Sequence, residues 1–524
     1  MARSSGRSAV LVGAGIFLSR IAGLVRQRVF AHYLGLNDAA DVLAQSLRIP
    51  NLLQNLFGEG VLSASFIPVY ARLIAEKKGA AAGKVAGAVL GLLACLVSLI
   101  VLAGVLATPL FVDILVPGYT GHKRLLTITL VRILFPATGI LVLSAWCLGI
   151  LNSHRRFFLS YIAPVVWNVA IIAVAIWAAK DRVSDALVVA IAWGAVAGSV
   201  LQVLVQLPTV VSLLRGFRFS VRADTPDVRA VIRNFWPALM GRGANQISAY
   251  VDGVIASLLG TGPAAALGSA QLLYTLPVSL FGMSVSAAEL PEMSSAQGSV
   301  EERHAVLRRR LGDGLHRIAF FVVPCAVAFM ALGQVVAGAV FQTGRFTAAD
   351  SRYVWAILAG SAVGLLASTL SRLSSSTFYA LGDTRTPLRY AVIRVALTTV
   401  LGFAAALLLP ELFGVDQRWG AVGLTATAGF AGWVEFALLR RRLAATIGAT
   451  HFTPGYLPRL WAASLTAAAT GWAILTLAGA GRLGPIVAAV LTLVPYAAIY
   501  GALTVAFRIP TAEALVAQFR RRRA

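Results

Sequence analysis

The sequence predicts an all-α polytopic membrane protein of about fourteen transmembrane helices, built as two six-helix lobes in parallel pseudo-repeat plus two extra C-terminal helices. Three observations predict this. The 524 residues are 58% hydrophobic and only 13% charged, with a mean hydropathy of +0.80, whereas a soluble chain carries about twice that charge fraction. Apolar runs of about twenty residues, each long enough to cross a bilayer as a helix, recur from end to end. Segments about 225 residues apart repeat one another in order.

Hydropathy and helix-breaking residues place the spans at 9–33, 39–72, 84–110, 125–151, 157–179, 186–214, 231–259, 264–294, 313–340, 351–380, 388–409, 420–440, 457–479 and 484–507. No small-residue cleavage site follows the first run, so it is read as a retained helix. Pro50, Gly58, Gly60 and Pro68 interrupt the second span, and Pro277, Gly282 and Pro291 the eighth. These positions predict kinks. The tail "AEALVAQFRRRRA" fits an interfacial helix.

The repeat organises the chain. "LRIPNLLQNLFGEGVLSASFIPVYARL" (47–73) and "LYTLPVSLFGMSVSAAELPEMSS" (273–295) share the order apolar-Pro, Phe-Gly, small residues, apolar-Pro. "LGILNSHRRFFLSYIAPVVWN" (148–168) faces "STFYALGDTRTPLRYAVIRV" (376–395) at a similar offset. Six helices is an even number, so the duplicated halves have the same topology and an axis along the membrane normal. The expected division is an N-lobe over 1–217, a C-lobe over 218–445, and helices 13 and 14 with a basic tail over 446–524. Such bundles hold substrate between the lobes near the midplane and work by rocking.

The net charge of +24 does not point to nucleic acid, because its distribution follows the spans. With the N-terminus inside, the inner loops carry 30 Lys and Arg and the outer loops 8, leaving 7 within the spans. This bias predicts both termini in the cytoplasm and attraction to anionic lipid headgroups. Cys95, Cys147 and Cys325 have neither disulfide nor zinc spacing. No phosphate-loop motif occurs, so the chain shows no ATPase, and no nucleophile–base pair or metal constellation points to an enzyme.

The seven span cations are Arg20, Arg26, Arg28, Arg48, Arg132, Arg242 and Arg372. An arginine at a helix centre costs about 2.5–3.5 kcal/mol on insertion scales. Three facing lipid in the first helix would cost about 8–10 kcal/mol, comparable to a whole domain's stability, so lipid-facing placement is excluded. Two readings stand: pairing with buried acids, or lining a wet cavity that awaits an anion. The clearly intramembrane acids are Asp41, Glu59, Asp252, Glu289 and Glu435, and only Asp41 and Glu59 lie near the first lobe's arginines. Arg28 is placed to snorkel to the outer surface. Guanidinium suits phosphate through bidentate hydrogen bonds, so a phosphate-bearing anion is the chemical implication. Arg242 has two readings, cavity cation or partner of Asp252, ten residues on.

"SRIAGLVRQRVF" (19–30), "DAADVLAQSLRIPNLLQNLFGEGVLSASFIPVYARL" (38–73), "FQTGRFTAADSRYVWAILAGSAVGL" (341–365) and "FYALGDTRTPLRYA" (378–391) resemble the signature segments of the MurJ (MviN) lipid II flippases. These belong to the multidrug/oligosaccharidyl-lipid/polysaccharide exporter superfamily. The resemblance covers essentially the whole chain, helices 13 and 14 included. It implies a role in peptidoglycan and cell-wall biogenesis: flipping lipid II, the undecaprenyl-pyrophosphate-linked muropeptide, from the cytoplasmic to the periplasmic leaflet of the bacterial inner membrane. The pyrophosphate would meet a cationic cavity between the lobes, and the lipid tail a groove associated with helices 13 and 14. The family's helix 1 arginines fall on Arg20 and Arg26, beside Ser19. Its helix 2 acid falls on Asp41, its Asn after Pro on Asn51, its Glu-Gly on Glu59, and a basic residue before the Pro on Arg48.

This sequence departs from the family at four places. Gln54 and Asn55 stand where many relatives carry an arginine pair, Leu272 where they carry the helix 8 arginine, and Gln27 where they carry an acid. Arg242 becomes a candidate replacement for the second-lobe cation. No cofactor is expected. Coupling to a monovalent cation or to the membrane potential is, with Asp252 as the candidate ion ligand. The oligomeric state is unreadable, though the fold needs no partner to form its cavity. The alternatives are a flippase for another polyprenyl-pyrophosphate-linked glycan, a drug/cation antiporter of the same superfamily, and a non-transporting scaffold for cell-wall assembly. The antiporter would need an acidic cavity, and the first lobe is basic.

Overall fold

The computed structural model describes the backbone of residues 2–180, 184–479 and 483–523. The side chains of 2–14, 16, 52, 59, 238, 240–249 and 518–523 lie outside the described residues. Among the described residues the fold is all-helical, without strands. It divides into two compact units, 1–265 and 266–524. That division is one of packing, whereas the boundary expected at 217/218 follows the sequence repeat.

The first unit contains α1 (Ala2–Leu34), α2 (Asp38–Phe57), α3 (Glu59–Ser65), α4 (Ile67–Ala75), α5 (Gly79–Leu106), α6 (Thr108–Leu115), α7 (Gly121–Ser153), α8 (Phe157–Ala178), α9 (Ser184–Leu213) and α10 (Pro226–Ser257). The expected second span is α2 to α4, broken at Gly58 and at Phe66, two residues before Pro68, while Pro50 lies within an unbroken α2 and Gly60 within α3. Pro at a helix start loses no intrahelical hydrogen bond, which is why the chain restarts there. The centre of the unit is α7, packed against α2, α5 and α9. Its apolar side chains serve two core clusters. In one, Leu130, Val131 and Leu134 meet Phe30, Val42, Leu43 and Ile191. In the other, Trp146 and Ile150 meet Phe66, Tyr70 and Val89. Within this apolar packing Ser144 joins Gln202 and Gln206 of α9, at 2.9 and 2.8 Å. Each of the three side chains thereby gains a partner that lipid cannot supply, although the Gln206 Nε2 is left without one.

The second unit continues α11 (Pro263–Pro277) into a π-helical turn (Val278–Met283) and α12 (Ser284–Ser294). The turn starts immediately after Pro277, an expected kink, while Pro291 leaves α12 unbroken. There follow α13 (Val300–Ala331), α14 (Gly333–Phe341), α15 (Ala348–Ala362), α16 (Leu365–Ala380), α17 (Arg385–Phe413), a 3₁₀ turn (Gln417–Trp419), α18 (Gly420–Ile447), α19 (Tyr456–Leu477), α20 (Pro485–Ala506) and α21 (Pro510–Arg523). Between α15 and α16 the axis bends by 42°. Gly364 sits at that bend, where an added Cβ would lie 2.4 Å from the Gly429 Cα of α18. The last two apolar helices, α19 and α20, pack on each other and on α13 and α14.

All fourteen expected segments are helical. Among the described residues ten helices are long and apolar enough to cross a bilayer, or eleven with the bent pair α15–α16. The other three expected spans, 9–33, 39–72 and 231–259, carry the candidate arginines and acids of the first unit, and a count of fourteen is not established.

Candidate functional site

In α1, Arg20 is exposed and Ser19 half-buried. Arg26, six residues on, turns toward α8, with its guanidinium 4.9 Å from the Trp167 ring centre and 5.9 Å from that of Phe30. Its Nε is buried without a hydrogen-bond partner, and neither Arg20 nor Arg26 forms an ion pair among the described residues. A guanidinium stacked on indole is stabilised by the ring's π face, and its remaining N–H groups keep their capacity to bind an anion.

Asp41 has a different environment from the one expected. It is fully buried and 3.1 Å from the Lys123 ammonium, a residue expected only as an outer-loop cation. Its two carboxylate oxygens accept the backbone N–H groups of Gly262 (2.7 Å) and Ala265 (2.9 Å), where α11 begins. A carboxylate at a helix start satisfies N–H groups with no intrahelical partner. Lys123 also pairs with Asp38 at 2.7 Å and lies 4.3 Å from the Tyr119 ring centre. One of the two acids near the first lobe's arginines is thus occupied by Lys123.

Arg48 lies where α2 meets α10. The Tyr250 hydroxyl donates to the Arg48 carbonyl at 3.0 Å, and Gln45 donates to the Gly253 carbonyl at 3.0 Å. The position of a Cβ on Gly253 would lie 3.4 Å from an Arg48 guanidinium nitrogen, which places that guanidinium against the α10 backbone. Asp252, next to Gly253, is half-buried. The structure therefore brings Arg48 to the α10 segment that carries the candidate ion ligand. Asn51 is exposed, one turn beyond Arg48 on α2. The side chains of Glu59 and Arg242 lie outside the described residues.

The second unit holds two charged groupings that the sequence did not join. Glu289, 4% exposed, lies between Arg310 at 3.4 Å and Arg317 at 3.3 Å. Glu435 of α18 pairs with Arg394 of α17 at 3.1 Å, and Arg372 of α16 acts on the same carboxylate. Nearby, the Tyr274 and Ser368 hydroxyls are hydrogen-bonded at 2.8 Å. Arg310, Arg317 and Arg394 were all expected as inner-loop cations. The signal that could have found them was Glu289 and Glu435 themselves, since a buried carboxylate needs a partner. Among the described residues no group of three or more His, Cys, Asp or Glu is placed to hold a metal.

Comparison with known proteins bears on this geometry. The sequence profile of the family described as "Lipid II flippase MurJ" matches residues 30–496. A protein of Rhizobium tropici named "Probable lipid II flippase MurJ" is 30% identical over 447 residues, covering 83% of this chain and 80% of that protein. The "Lipid II flippase MurJ" of Burkholderia cenocepacia is 28% identical over 439 residues, covering 83% and 82%. Among solved structures, one titled "Lipid II flippase MurJ, inward closed conformation" superposes with a TM-score of 0.76 at 22% identity, over 95% of this chain and 99% of that one. An inward-facing MATE family multidrug transporter of the MOP superfamily superposes at 0.63 and 18% identity, over 84% and 98%. At these identities the two structures speak for the fold alone.

Proposed function

The chain belongs to the lipid II flippase MurJ family, and from that premise we propose that it moves lipid II from the cytoplasmic to the periplasmic leaflet of the bacterial inner membrane. Alternating access is the mode of transport, with both termini in the cytoplasm and a single chain as the working unit. Arg20 and Arg26 bind the pyrophosphate, Arg48 contributes a third cation, and Ser19, Asn51 and Glu59 supply polar contacts around it. Asp41 shapes the site by holding the start of α11. Arg242 takes the second-lobe role that Leu272 does not fill.

The observation that carries this reading is Arg26. It is held by aromatic rings and has no acid partner among the described residues, which favours the anion-awaiting alternative over structural pairing. A bidentate phosphate contact in a low-dielectric site is among the stronger charge-assisted interactions. Coupling rests on the membrane potential or a monovalent cation, with Asp252 as ion ligand. The potential supplies about 2.3 kcal/mol per charge per 100 mV, enough for one or two charges to bias the cycle.

Conditional complementation tests the reading. A strain depleted of its own lipid II flippase receives the wild-type gene or Arg20→Ala, Arg26→Ala or Arg242→Ala, with expression checked. Rescue by wild type but not by the helix 1 variants is the expected result. Rescue by all three variants would make the arginines structural, and no rescue by well-expressed wild type would shift the substrate.

A further inference from the structure

At the end of α18 lies a cavity of about 470 Å³, within the size range of small-molecule and lipid sites. One wall is a stripe of α18 comprising Trp433, Phe436, Ala437, Arg440, Arg441 and Ala444; loop residues 449–451 form the other. The spacing puts all six on one helix face. The stripe is graded along its length. Trp433, Phe436 and Ala437 are apolar, and Arg440 and Arg441 follow, about 10 Å along the axis from Trp433. Arg440 reaches over to the Thr450 carbonyl at 3.3 Å, so the guanidinium itself holds the loop as a wall. Arg308 donates to the Ile447 carbonyl at 3.3 Å and brings a third guanidinium to this end of α18. No acid lines the cavity, and Arg441 forms no ion pair among the described residues.

We propose that this cavity binds an anionic phospholipid of the bilayer, its acyl chain along the Trp433–Ala437 stripe and its phosphate at Arg440 and Arg441. Charge complementarity selects the occupant. A zwitterionic lipid would bring the same phosphate together with an ammonium group that the guanidiniums repel. A second copy of this chain, at +24, would bring positive charge to a positive rim. The loop bias assigns this end of α18 to the cytoplasmic side, the leaflet whose anionic headgroups attract clustered Lys and Arg. Trp433 lies about two turns back along α18 from Arg440, and indole is a side chain enriched at membrane interfaces. This site is separate from the proposed transport of lipid II and does not depend on it.

Native mass spectrometry of the full-length protein tests this, after incubation in detergent with phosphatidylglycerol or phosphatidylcholine. Wild type is expected to retain a first phosphatidylglycerol in preference to phosphatidylcholine. Arg440→Gln with Arg441→Gln weakens that first adduct about tenfold or more. Ala437→Trp, which fills the cavity without changing charge, weakens it comparably. Arg229→Gln with Arg233→Gln removes two exposed cations elsewhere and leaves it intact. Monodispersity on gel filtration checks each variant's fold. Equal losses in both arginine pairs would reduce the effect to net charge and overturn the site, as would retention unchanged by Ala437→Trp. Selective displacement by a short-chain prenyl pyrophosphate would overturn it too, by making the cavity part of the substrate path.

Discussion

The Tyr500 hydroxyl of α20 donates to the Phe320 carbonyl of α13 at 2.6 Å, and that carbonyl is the one Pro324 leaves without a helical donor. Proline has no N–H, so the bond from residue 324 back to residue 320 cannot form. Tyr500 supplies it, while Tyr496 takes the Pro324 carbonyl at 2.7 Å. Two hydroxyls of α20 thus fasten it to α13, and one of them fills the gap left by a proline. Tyr500→Phe should orphan the Phe320 carbonyl in an apolar setting and cost about 1–2 kcal/mol. Thermal unfolding in detergent measures it, and an unchanged midpoint would show that another donor takes the carbonyl.

Asp41 and Lys123 form a buried pair, and Lys123→Met should leave a carboxylate with only backbone donors. Breaking such a pair from one side costs about 3–5 kcal/mol, so the expected loss is at the lower end of that range, given the N–H groups of Gly262 and Ala265. Asp41→Asn should cost less, because the amide oxygen still accepts one N–H. The stability losses should exceed any change in affinity for a prenyl pyrophosphate. A selective loss of affinity instead would place Asp41 in direct contact with substrate.

Arg394 and Glu435 should show coupling in a double-mutant cycle. Arg394→Ala alone strands a largely buried carboxylate, whereas Arg394→Ala with Glu435→Gln removes the stranded charge. The double variant should recover about 1–3 kcal/mol relative to the sum of the singles. Additive losses would mean that Arg372 alone satisfies Glu435.

His154, in the turn after α7, lies 3.2 Å from the Tyr70 hydroxyl. Partial burial, then the nearby Arg156 charge, holds its pKa below the usual 6.5. The folded protein binds this proton less readily than the unfolded chain. Stability therefore rises with pH through the window below 6.5 and falls as pH drops through it. Melting curves over about pH 5 to 7 should show this slope for wild type and a shallower one for His154→Gln. Equal slopes would assign the pH dependence to other groups.

Much of this molecule was legible in its residues. Hydropathy and breakers placed fourteen segments that are all helical, because a bilayer demands long apolar runs whatever their neighbours. Pro277 and Gly58 marked real departures from straight helix, since a missing N–H or Cβ acts locally. The family segments carried the function class, and Arg26 stood out because a span arginine must be explained. What the sequence could not supply was partnership. Lys123, Arg310, Arg317 and Arg394 read as loop cations, yet each reaches a buried or largely buried acid, and no local pattern joined Lys123 to Asp41.

The sequence alone determined which segments are helices, which side chains are too costly to face lipid, and to which family the chain belongs. These follow from local chemistry that any neighbour leaves unchanged. Only the tertiary structure decided that Lys123 answers Asp41, that Trp167 holds Arg26, and that Tyr500 mends the gap at Pro324. Each joins residues more than eighty positions apart, and such pairings are fixed by helix packing, which no local pattern encodes.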